Sequence, residues 1–309
     1  MPDVTEIVRA LAAEGIRARL DEPMRTHTSL RVGGAADCFV APENEAQIIR
    51  TARLCREVGM PLCVIGNGTN LLVSDEGIAG VTMQIGAAFS DIKANGFTVE
   101  ATCGAPLVSL CRFAAERGLA GLAFAGGIPG TVGGAIVMNA GAYGGEVRDV
   151  LQSVRVLDAD GEIRTLAAGE CGFGYRMSRF QAEPQRILLS AVFALHPGDR
   201  EEIFAEMRAH NEARRQSQPL DLPNAGSAFR RPADGRAAAQ MIDECGLKGT
   251  AVGGAAVSEK HAGFFVNRGG ATAADFEALL SLVQRRVQEE SGVLLEPEYR
   301  RLGGRHGSE

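Results

Sequence analysis

Hydrophobic and polar positions along this chain predict a mixture of helices and strands. Residues 1–15 have the spacing of an amphipathic helix, and residues 45–58 repeat that spacing up to Gly59, a residue type that commonly ends helices. Short apolar runs at residues 38–41 and 61–65 have the length of strands and lie on either side of the second helix. These segments predict a small β-α-β unit near the start of the chain.

Further along, the predicted strands and helices do not alternate strictly. Pro106 opens a predicted helix that ends at Arg117, and Gly118 follows in the position of a terminating residue. The other predicted strands are residues 80–86, 96–104, 154–157, 163–166, 187–195 and 263–267, and the other predicted helices are residues 199–215, 237–245 and 273–291. Because a doubly wound sheet requires strict alternation, the pattern favours the α+β fold class.

One segment, residues 126–145, departs from both periodicities. Eight of its twenty residues are glycine and none is charged. The uncharged run begins at residue 119, but Pro129, the glycines and Asn139 interrupt it, whereas a membrane-spanning helix needs about 20 predominantly apolar residues. Each glycine in a regular element costs about 0.5–1 kcal/mol relative to alanine, so eight of them predict special backbone dihedrals or close approach to a ligand. We interpret the segment as a buried loop against a flat cofactor.

Composition and charge narrow the class of protein. The 309 residues are 45% hydrophobic and 23% charged, which is typical of a globular protein of two or three domains. A net charge of -6, with no basic cluster longer than two arginines, argues against nucleic acid as a partner. Seven cysteines without a CxxC pair predict neither a disulfide framework nor a zinc site, and we expect no metal. The N-terminal segment lacks the apolar core of a secretory signal, so we expect a cytoplasmic location.

A glycine-containing loop, GNGTNLL, follows the predicted strand at residues 61–65. Loops of this kind present backbone N–H groups to phosphate oxygens. The loop is not a Rossmann fingerprint, because Leu71 stands where that motif requires glycine, and it is not a Walker loop, because no lysine follows its second glycine. Taken alone, it is as consistent with a structural turn as with a phosphate site.

Three polar segments contain the other candidates for chemistry. Arg176 lies in FGYRMSRF, and by residue type alone it is more often a surface charge than a ligand-binding group. Ser227 lies in PNAGSAFRRP, where a serine after glycine is usually a turn residue and no GxSxG nucleophile motif is present. Glu296 and Glu298 both lie in LLEPEYRRLG. Residue types alone therefore leave these roles open.

The glycine loop and the segment GIPGTVGGAIVMNAGAYG together resemble the bacterial UDP-N-acetylenolpyruvoylglucosamine reductases, which are FAD enzymes of peptidoglycan synthesis. The similarity covers nearly the whole chain, from TSLRVGG at residues 28–34 to LEPEYR at residues 295–300. The resemblance implies a three-domain α+β flavoprotein, in which a two-domain FAD-binding module of the PCMH or vanillyl-alcohol-oxidase type precedes a C-terminal α+β substrate domain. The implied domains are residues 1–86, joined by residues 293–309, then residues 87–197 and residues 198–292.

The same resemblance implies non-covalent FAD, with NADPH as co-substrate. Residues 66–70 would hold the FAD pyrophosphate, and residues 126–139 would line the ribityl chain and the isoalloxazine ring. Thr69 stands where relatives often have serine, and it keeps the hydroxyl group. The implied cofactor-binding residues are Ile65, Gly66, Asn67, Gly68, Thr69, Asn70, Leu71, Gly126, Ile128, Pro129, Gly130, Thr131, Val132, Gly133, Ala135, Asn139 and Ile187.

The resemblance also assigns catalytic roles. Arg176 matches the arginine of the family's YRxSxF motif, which would contact the enolpyruvyl carboxylate, and Ser227 matches the serine of its GSxF motif, which would donate a proton. The family's acid precedes a hydrophobic residue and an arginine, which selects Glu298 over Glu296 for orienting the enol intermediate or relaying a proton. The implied substrate-binding residues are Tyr175, Arg215, Arg231, Lys248 and His261. Arg230 and Arg231 replace the lysine and asparagine of some relatives.

The implied activity is NADPH-dependent reduction, through FAD, of the enolpyruvyl group of UDP-N-acetylglucosamine-enolpyruvate to give UDP-N-acetylmuramate. The short connection from Arg176 to Ile187 is typical of the family's shorter, type II-like subgroup. We expect a nucleotide-sugar substrate, no membrane insertion and a monomer. Two alternatives stay open: an oxidase of carbohydrates or hydroxy acids, which oxygen consumption would reveal, and a nucleotide-binding module without catalysis, which would show no flavin spectrum.

Overall fold

The computed structural model describes residues 3–304. Its helices are α1 (Val4–Ala13), α2 (Glu45–Glu57), α3 (Leu107–Glu116), α4 (Val132–Val137), α5 (Arg200–Ser217), α6 (Ala238–Glu244) and α7 (Ala273–Ser291). Its strands are β1 (Ala18–Pro23), β2 (Ala35–Val40), β3 (Leu62–Ile65), β4 (Leu71–Val73), β5 (Ile78–Gln84), β6 (Ile92–Asn95), β7 (Thr98–Thr102), β8 (Leu119–Ala120), β9 (Gly141–Ala142), β10 (Gly145–Glu146), β11 (Leu151–Leu157), β12 (Ile163–Ala167), β13 (Ile187–Ala194), β14 (His196–Pro197), β15 (Asn224–Ser227), β16 (Ala251–Val252), β17 (Ala255–Val257), β18 (Phe264–Asn267) and β19 (Arg300–Leu302). The α+β fold class is confirmed. Among the helices within residues 3–304, none combines the length and the apolar character needed to cross a membrane.

Most elements lie where the hydrophobic pattern predicts them. Helix α7 has the predicted bounds, α2 is one residue shorter at its C-terminal end, and α3 and α6 are one residue shorter at each end. The interpretation of residues 126–145 as a loop is wrong for the six residues of α4 and for the short paired strands β9 and β10. The Thr131 side-chain oxygen accepts from the Gly134 N–H at 3.2 Å, and this cap stabilises a short helix in spite of two glycines.

The chain divides into two compact units. Unit 1 contains residues up to 20, residues 38–67 and residues 80–214. Unit 2 contains residues 21–37, residues 68–79 and those from 215 onward. The boundaries predicted near residues 86 and 198 concern a finer, three-domain subdivision, which stays a prediction. The end of the predicted 293–309 segment, from residue 305, lies outside the described residues.

The main core of unit 1 forms on a five-stranded antiparallel sheet of order β12-β11-β13-β7-β6. Its central strand β13 is buried along most of its length, which explains why the strand is a nearly continuous apolar run instead of an alternating one. Phe193 on β13 is fully buried and pairs with Val99 on β7. Helices α3 and α4, which follow β7 in the chain, contribute to the same core.

A smaller core in unit 1 involves α1, α2 and nearby strand residues. Ile7 and Leu11 lie one turn apart on α1 and both are buried, as the amphipathic spacing predicts. Asn44 caps α2, because its side-chain oxygen accepts from the Gln47 N–H at 3.0 Å. After α2, the chain forms β3, which pairs in parallel with β5 in a sheet of order β1-β2-β5-β3. The end of β3 therefore presents the loop that begins at Gly66.

Unit 2 contains an antiparallel sheet of order β15-β18-β17-β16, and α6 and α7 share its core. Phe276 and Val283 are fully buried on one face of α7. The N-terminus of α7 is capped from a distant part of the chain, since the Asp75 carboxylate accepts from the N–H groups of Ala273 and Ala274 at 2.8 and 2.9 Å. Parallel pairing of β4 with β19 then aligns residues 71–73 with residues 300–302.

Substitutions of two glycines of unit 2 would measure how much close backbone packing contributes to stability. Gly77 and Gly235 have nearly equal left-handed φ angles, 84° and 82°. A Cβ atom on Gly77 would collide with the Ala35 carbonyl, whereas one on Gly235 would meet nothing within 4 Å. We expect Gly235→Ala to lower the free energy of unfolding by about 1 kcal/mol, from backbone strain alone. Gly77→Ala should lower it by about 3 kcal/mol.

Urea unfolding followed by circular dichroism would measure both free energies. Equal losses for the two variants would show that the carbonyl contact at Gly77 is relieved without cost.

Candidate active site

The two glycine segments singled out in the sequence meet within unit 1. A Cβ atom added to Gly66 would lie 2.5 Å from Thr131 Oγ1, so only glycine allows the loop after β3 to come this close. Gln84 on β5 secures the same residue, because its Nε2 donates to the Gly66 carbonyl at 3.1 Å. The structure therefore brings together Gly66 and Thr131, which the resemblance assigns to FAD binding.

Helix α4 starts at this contact and is attached to the end of β7. The Gly133 N–H donates to the Cys103 carbonyl at 2.9 Å, and the Val132 N–H donates to the Ala105 carbonyl at 2.9 Å. A Cβ atom added to Gly133 would lie 3.0 Å from the Cys103 Cβ, so a larger residue there would push the helix away. Because Cys103 directly follows β7, the five-stranded sheet determines where α4 begins.

Other glycines of this segment make room for protein atoms. A Cβ atom on Gly126 would lie 2.8 Å from Met207 Cε, and one on Gly127 would lie 2.9 Å from Arg214 Cδ. Helix α5 therefore packs directly on their backbone. Gly130 has a φ of 125°, which favours glycine for a different reason. The high glycine content thus reflects close packing by α5 and turn geometry as well as any ligand contact.

The second half of the glycine loop, residues 68–70, belongs to unit 2. Gly68 is buried, has a φ of 65°, and leaves no room for a Cβ atom beside the His27 carbonyl. Its N–H group donates to no acceptor among the described residues, which suits an anionic ligand. Asn70 Nδ2 donates to the Glu298 carbonyl at 3.2 Å. The structure thus ties this half of the loop to the segment that contains the candidate acid.

Arg176 lies at the tip of a tight turn in unit 1. Gly174 and Met177 exchange two backbone hydrogen bonds across the turn, at 3.0 and 3.2 Å. Arg176 has a φ of 53°, a left-handed conformation that is uncommon for residues other than glycine. Its Nη2 donates to the Gly141 carbonyl at 2.7 Å, and its guanidinium carbon lies 5.1 Å from the ring centre of the exposed Tyr175. The guanidinium is therefore held by this hydrogen bond and by the neighbouring aromatic ring.

Asn139 is fully buried in the same unit, and its side chain joins three segments. Its Nδ2 donates to Glu146 Oε2 at 2.8 Å and to the Gly174 carbonyl at 2.9 Å, and its Oδ1 accepts from the Arg148 N–H at 3.0 Å. These protein partners use both ends of the amide group. Both N–H donors of the side chain are therefore committed to protein partners, and they are not available to FAD.

Sequence reasoning missed two residues that hold the Arg176 turn, Ser178 and Gln181. Ser178 Oγ donates to the Val137 carbonyl at 2.7 Å, and Gln181 Nε2 donates to the same carbonyl at 2.9 Å and to the Arg176 carbonyl at 3.0 Å. In the sequence, the only feature that points to these two residues is their position just after Arg176. Because both bond to main-chain oxygens, their partners leave no mark in the sequence.

Ser227 and Glu298 lie on neighbouring paired segments of unit 2. The Glu298 N–H donates to the Ala228 carbonyl at 2.8 Å, and Phe229 and Pro297 form an antiparallel bridge. Ser227 is the last residue of β15, and its hydroxyl makes no hydrogen bond within residues 3–304. Unit 2 therefore pairs the backbone segment of the candidate acid with the segment that contains Ser227.

Two of the predicted substrate-binding residues, Lys248 and His261, lie in unit 2, and the charge of Lys248 acts on His261. Lys248 Nζ pairs with the Asp243 carboxylate at 2.6 Å. The Nδ1 of the half-buried His261 accepts from the Gly263 N–H at 3.1 Å. Burial lowers the pKa of His261, and the positive charge of Lys248 lowers the pKa further. The imidazole is therefore neutral near pH 7, with its Nε2–H as a hydrogen-bond donor.

The remaining predicted site residues differ in their exposure to solvent. Arg215 and Arg231 are exposed in unit 2, and the Arg215 carbonyl accepts from Lys260 Nζ at 2.6 Å. Glu296, the rival of Glu298, is also exposed. The other predicted cofactor-binding residues are buried at Ile65, Leu71, Val132, Ala135 and Ile187, intermediate at Thr69 and Ile128, and exposed at Asn67 and Pro129.

The chemistry of these segments fits FAD and does not suggest a metal. Within residues 3–304, no group of three or more histidine, cysteine, aspartate or glutamate side chains could hold a metal ion. Residues 126–145 contain neither histidine nor cysteine, so they offer no side chain for covalent attachment of a flavin. In unit 1, the close contact between Gly66 and Thr131 fits a flat cofactor. In unit 2, the Gly68 N–H, which has no acceptor among the described residues, fits a phosphate oxygen.

Comparison with known proteins places these segments in a class. A family model described as an FAD binding domain matches residues 36–167. A second model, described as the C-terminal domain of UDP-N-acetylenolpyruvoylglucosamine reductase, matches residues 218–302. The fold and the site therefore define an FAD-dependent oxidoreductase with a dedicated C-terminal domain.

Individual relatives are more specific. The UDP-N-acetylenolpyruvoylglucosamine reductase of Heliobacterium modesticaldum is 45% identical over 304 residues, which cover 98% of this chain and 96% of the relative. The reductase of Clostridium botulinum strain Hall is 46% identical over 284 residues, which cover 92% of each chain. A crystal structure of the Thermus caldophilus enzyme superposes with a TM-score of 0.79 at 36% identity and covers 93% of this chain and 99% of that one. The chain belongs to the UDP-N-acetylenolpyruvoylglucosamine reductase family.

Family membership decides among the activities left open by the sequence. The chain is an FAD-dependent oxidoreductase that uses NADPH to reduce UDP-N-acetylenolpyruvoylglucosamine in the synthesis of peptidoglycan precursors. The alternatives of a carbohydrate oxidase and of a nucleotide-binding module without catalysis are thereby set aside.

The attachment of α4 predicts how FAD binding responds to mutation. Gly133→Leu should purify without flavin, because the new side chain collides with Cys103 and displaces α4. Gly169→Leu is the matched control in unit 1, since a Cβ atom there meets nothing within 4 Å. The ratio of flavin absorbance to protein absorbance measures the occupancy of each variant. Wild-type occupancy in Gly133→Leu would contradict this account.

The lowered pKa of His261 predicts a pH dependence of stability. In the unfolded chain His261 takes up its proton as the pH falls through about 6.5. The folded protein resists that protonation, so the His261 contribution to stability is present above pH 6.5 and is lost as the pH falls toward the lower folded pKa. We expect His261→Gln to lose less unfolding free energy than wild type between pH 7.5 and pH 5.5. Urea unfolding at both pH values measures this, and equal losses would contradict it.

Proposed function

We propose that Arg176, Ser227 and Glu298 carry out the reduction of the enolpyruvyl group, with FAD held non-covalently by residues 66–70 and 126–139. The observation that most supports these roles is the hydrogen bond from the Glu298 N–H to the carbonyl of the residue after Ser227. When bound, FAD supplies the hydride that the terminal vinyl carbon accepts. The residues of the chain bind, orient and protonate the substrate.

Arg176 binds the carboxylate of the enolpyruvyl group in this proposal. Addition of hydride to the vinyl carbon leaves negative charge on the adjacent carbon, and that charge delocalises onto the carboxylate. A guanidinium keeps its charge at all relevant pH values, and its planar donors match a carboxylate. Because the hydrogen bond to Gly141 restricts the side chain, Arg176 meets the developing charge with little reorganisation.

Ser227 then protonates the carbon next to the carboxylate, which completes the lactyl ether. Its hydroxyl is uncommitted within residues 3–304, which supports a role toward a ligand. A serine is a weak acid, so the transfer needs a second group that orients the enol or relays a proton. Glu298 is the candidate for that role, and the pairing of its segment with the Ser227 segment supports it.

Tyr175, Arg215, Arg231, Lys248 and His261 contact the nucleotide sugar in the same proposal. Lys248 is exposed and its ion pair with Asp243 is also exposed, so a substrate phosphate can replace the carboxylate at small cost. The neutral His261 adds a hydrogen-bond donor that carries no charge. The assignment to the shorter, type II-like subgroup stays a prediction.

We further propose that the enzyme works as a monomer in the cytoplasm. All seven cysteines are free thiols, which supports a reducing compartment. Burial raises the pKa of Cys55 and of Cys111 to about 12, so both thiols are inert packing groups. Light scattering during size-exclusion chromatography measures the molar mass, and the mass of a dimer would overturn the proposal of a monomer.

The role of Ser227 predicts a split between the two half-reactions. Ser227→Ala should keep its flavin and its rate of FAD reduction by NADPH, because neither requires the proton donor. Reoxidation of the reduced enzyme by the enolpyruvyl substrate should slow by about 10²- to 10³-fold. Stopped-flow absorbance at the flavin band measures both rates.

The matched control for this experiment is Ser291→Ala, since the Ser291 hydroxyl bonds back to the Val287 carbonyl within α7. Ser291→Ala should leave both half-reactions at wild-type rates. Normal reoxidation of Ser227→Ala would remove Ser227 from the mechanism without affecting the family assignment.

A further inference from the structure

The turn that carries Arg176 is attached to the C-terminal end of α4. The carbonyl of Val137, the last residue of that helix, accepts from Ser178 Oγ at 2.7 Å and from Gln181 Nε2 at 2.9 Å. Carbonyls in the last turn of a helix have no partner within the helix, so side chains commonly satisfy them. Here both partners come from the five residues that follow Arg176.

Gln181 makes a second hydrogen bond, and this one reaches the main chain of Arg176 itself. The same Nε2 donates to the Arg176 carbonyl at 3.0 Å. One amide group therefore links the end of α4 to the backbone of the candidate catalytic arginine. A primary amide has two N–H donors, and the two carbonyls are the short contacts of Nε2, since its third contact, Met138 Sδ, lies at 3.7 Å.

Asn139 holds the other side of the same turn. Its Nδ2 donates to the Gly174 carbonyl at 2.9 Å, and its remaining bonds fix it to Glu146 and Arg148. The turn of residues 174–177 is thus attached before and after its tip by two buried or half-buried amides. Neither amide reaches the guanidinium, so both act on backbone position.

The backbone of Arg176 requires such support. A left-handed conformation costs a residue with a side chain roughly 1–2 kcal/mol, and it persists only where surrounding structure specifies it. Without its two anchors the turn would relax toward ordinary dihedrals and swing the arginine away. The opposite end of α4 lies at Thr131, against Gly66, and six helical residues span about 9 Å. Helix α4 therefore sets the distance from the FAD segment to Arg176.

We propose that Gln181 and Asn139 are positioning residues for Arg176, and that they act by holding its left-handed turn on α4. The inference rests on the catalytic role proposed above for Arg176. It assigns no contact with substrate to either amide. Both residues determine the position of the Arg176 guanidinium when the enolpyruvyl carboxylate binds.

The test compares Gln181→Glu with Gln181→Lys in the full-length holoenzyme. Glutamate keeps the shape of the side chain but loses both N–H donors, whereas lysine keeps donors that can reach two carbonyls. We expect Gln181→Glu to keep FAD and its reduction by NADPH, and to slow reoxidation by substrate about 10- to 100-fold. Gln181→Lys should recover most of that loss. Gln47→Glu, a glutamine that bonds to the main chain at the start of α2, is the control.

A double-mutant cycle with Arg176→Ala separates positioning from general damage. If Gln181 acts through Arg176, Gln181→Glu should add no further loss once the guanidinium is gone. An equal loss in both backgrounds, or no loss in either, overturns the inference. If Gln181→Glu fails to fold, the same cycle is run with Asn139→Asp, which removes the donors to Gly174 and Glu146, in a Glu146→Gln background that avoids two adjacent carboxylates.

The same experiments distinguish failure of this inference from failure of the proposed function. Arg176→Ala with a normal rate of reoxidation would remove Arg176 from the mechanism, and the inference would fall with it. A slow Arg176→Ala together with a normal Gln181→Glu would leave the mechanism intact and overturn only the positioning role.

Discussion

The site in unit 1 depends on two backbone hydrogen bonds that Gly133 and Val132 make to the carbonyls of Cys103 and Ala105. They attach the first turn of α4 to the end of β7, whose neighbour β13 is the buried centre of the sheet. Because this start is fixed, the N-cap residue Thr131 lies against Gly66, and the Val137 carbonyl at the other end of the helix bonds to the Arg176 turn. A flexible loop in the same place could not transmit position from one end to the other, because its dihedrals would be free to adjust.

The glycines of residues 126–145 satisfy two demands at once. Gly126 and Gly127 admit the side chains of α5, and Gly133 admits the end of β7. Gly130 supplies a dihedral that other residues avoid. Close packing of backbone on backbone and an uncharged surface for a flat cofactor call for the same residue type. A glycine-rich sequence therefore indicates that something approaches closely without saying whether protein or ligand does so.

Unit 2 assembles its candidates from segments far apart in the chain. Asn70, Ser227 and Glu298 are separated by more than 70 residues each, yet hydrogen bonds connect their segments. The cap that Asp75 places on α7 and the pairing of β4 with β19 hold residues 68–79 against the C-terminal part of the chain. Folding also places Lys248, which is 13 residues from His261 in the chain, close enough to lower the pKa of the imidazole.

The sequence by itself determined the α+β class, the bounds of most helices and the family, because these depend on local periodicity and on motifs whose residues are contiguous. It also determined which residues to examine at the site. Only the tertiary structure decided that residues 132–137 are helical, that α5 needs Gly126 and Gly127, and that Gln181 and Asn139 hold the Arg176 turn. Each of these rests on a contact in which one partner is a main-chain atom and the other lies elsewhere in the chain. Main-chain atoms are the same in every residue, so such contacts leave no pattern in the sequence.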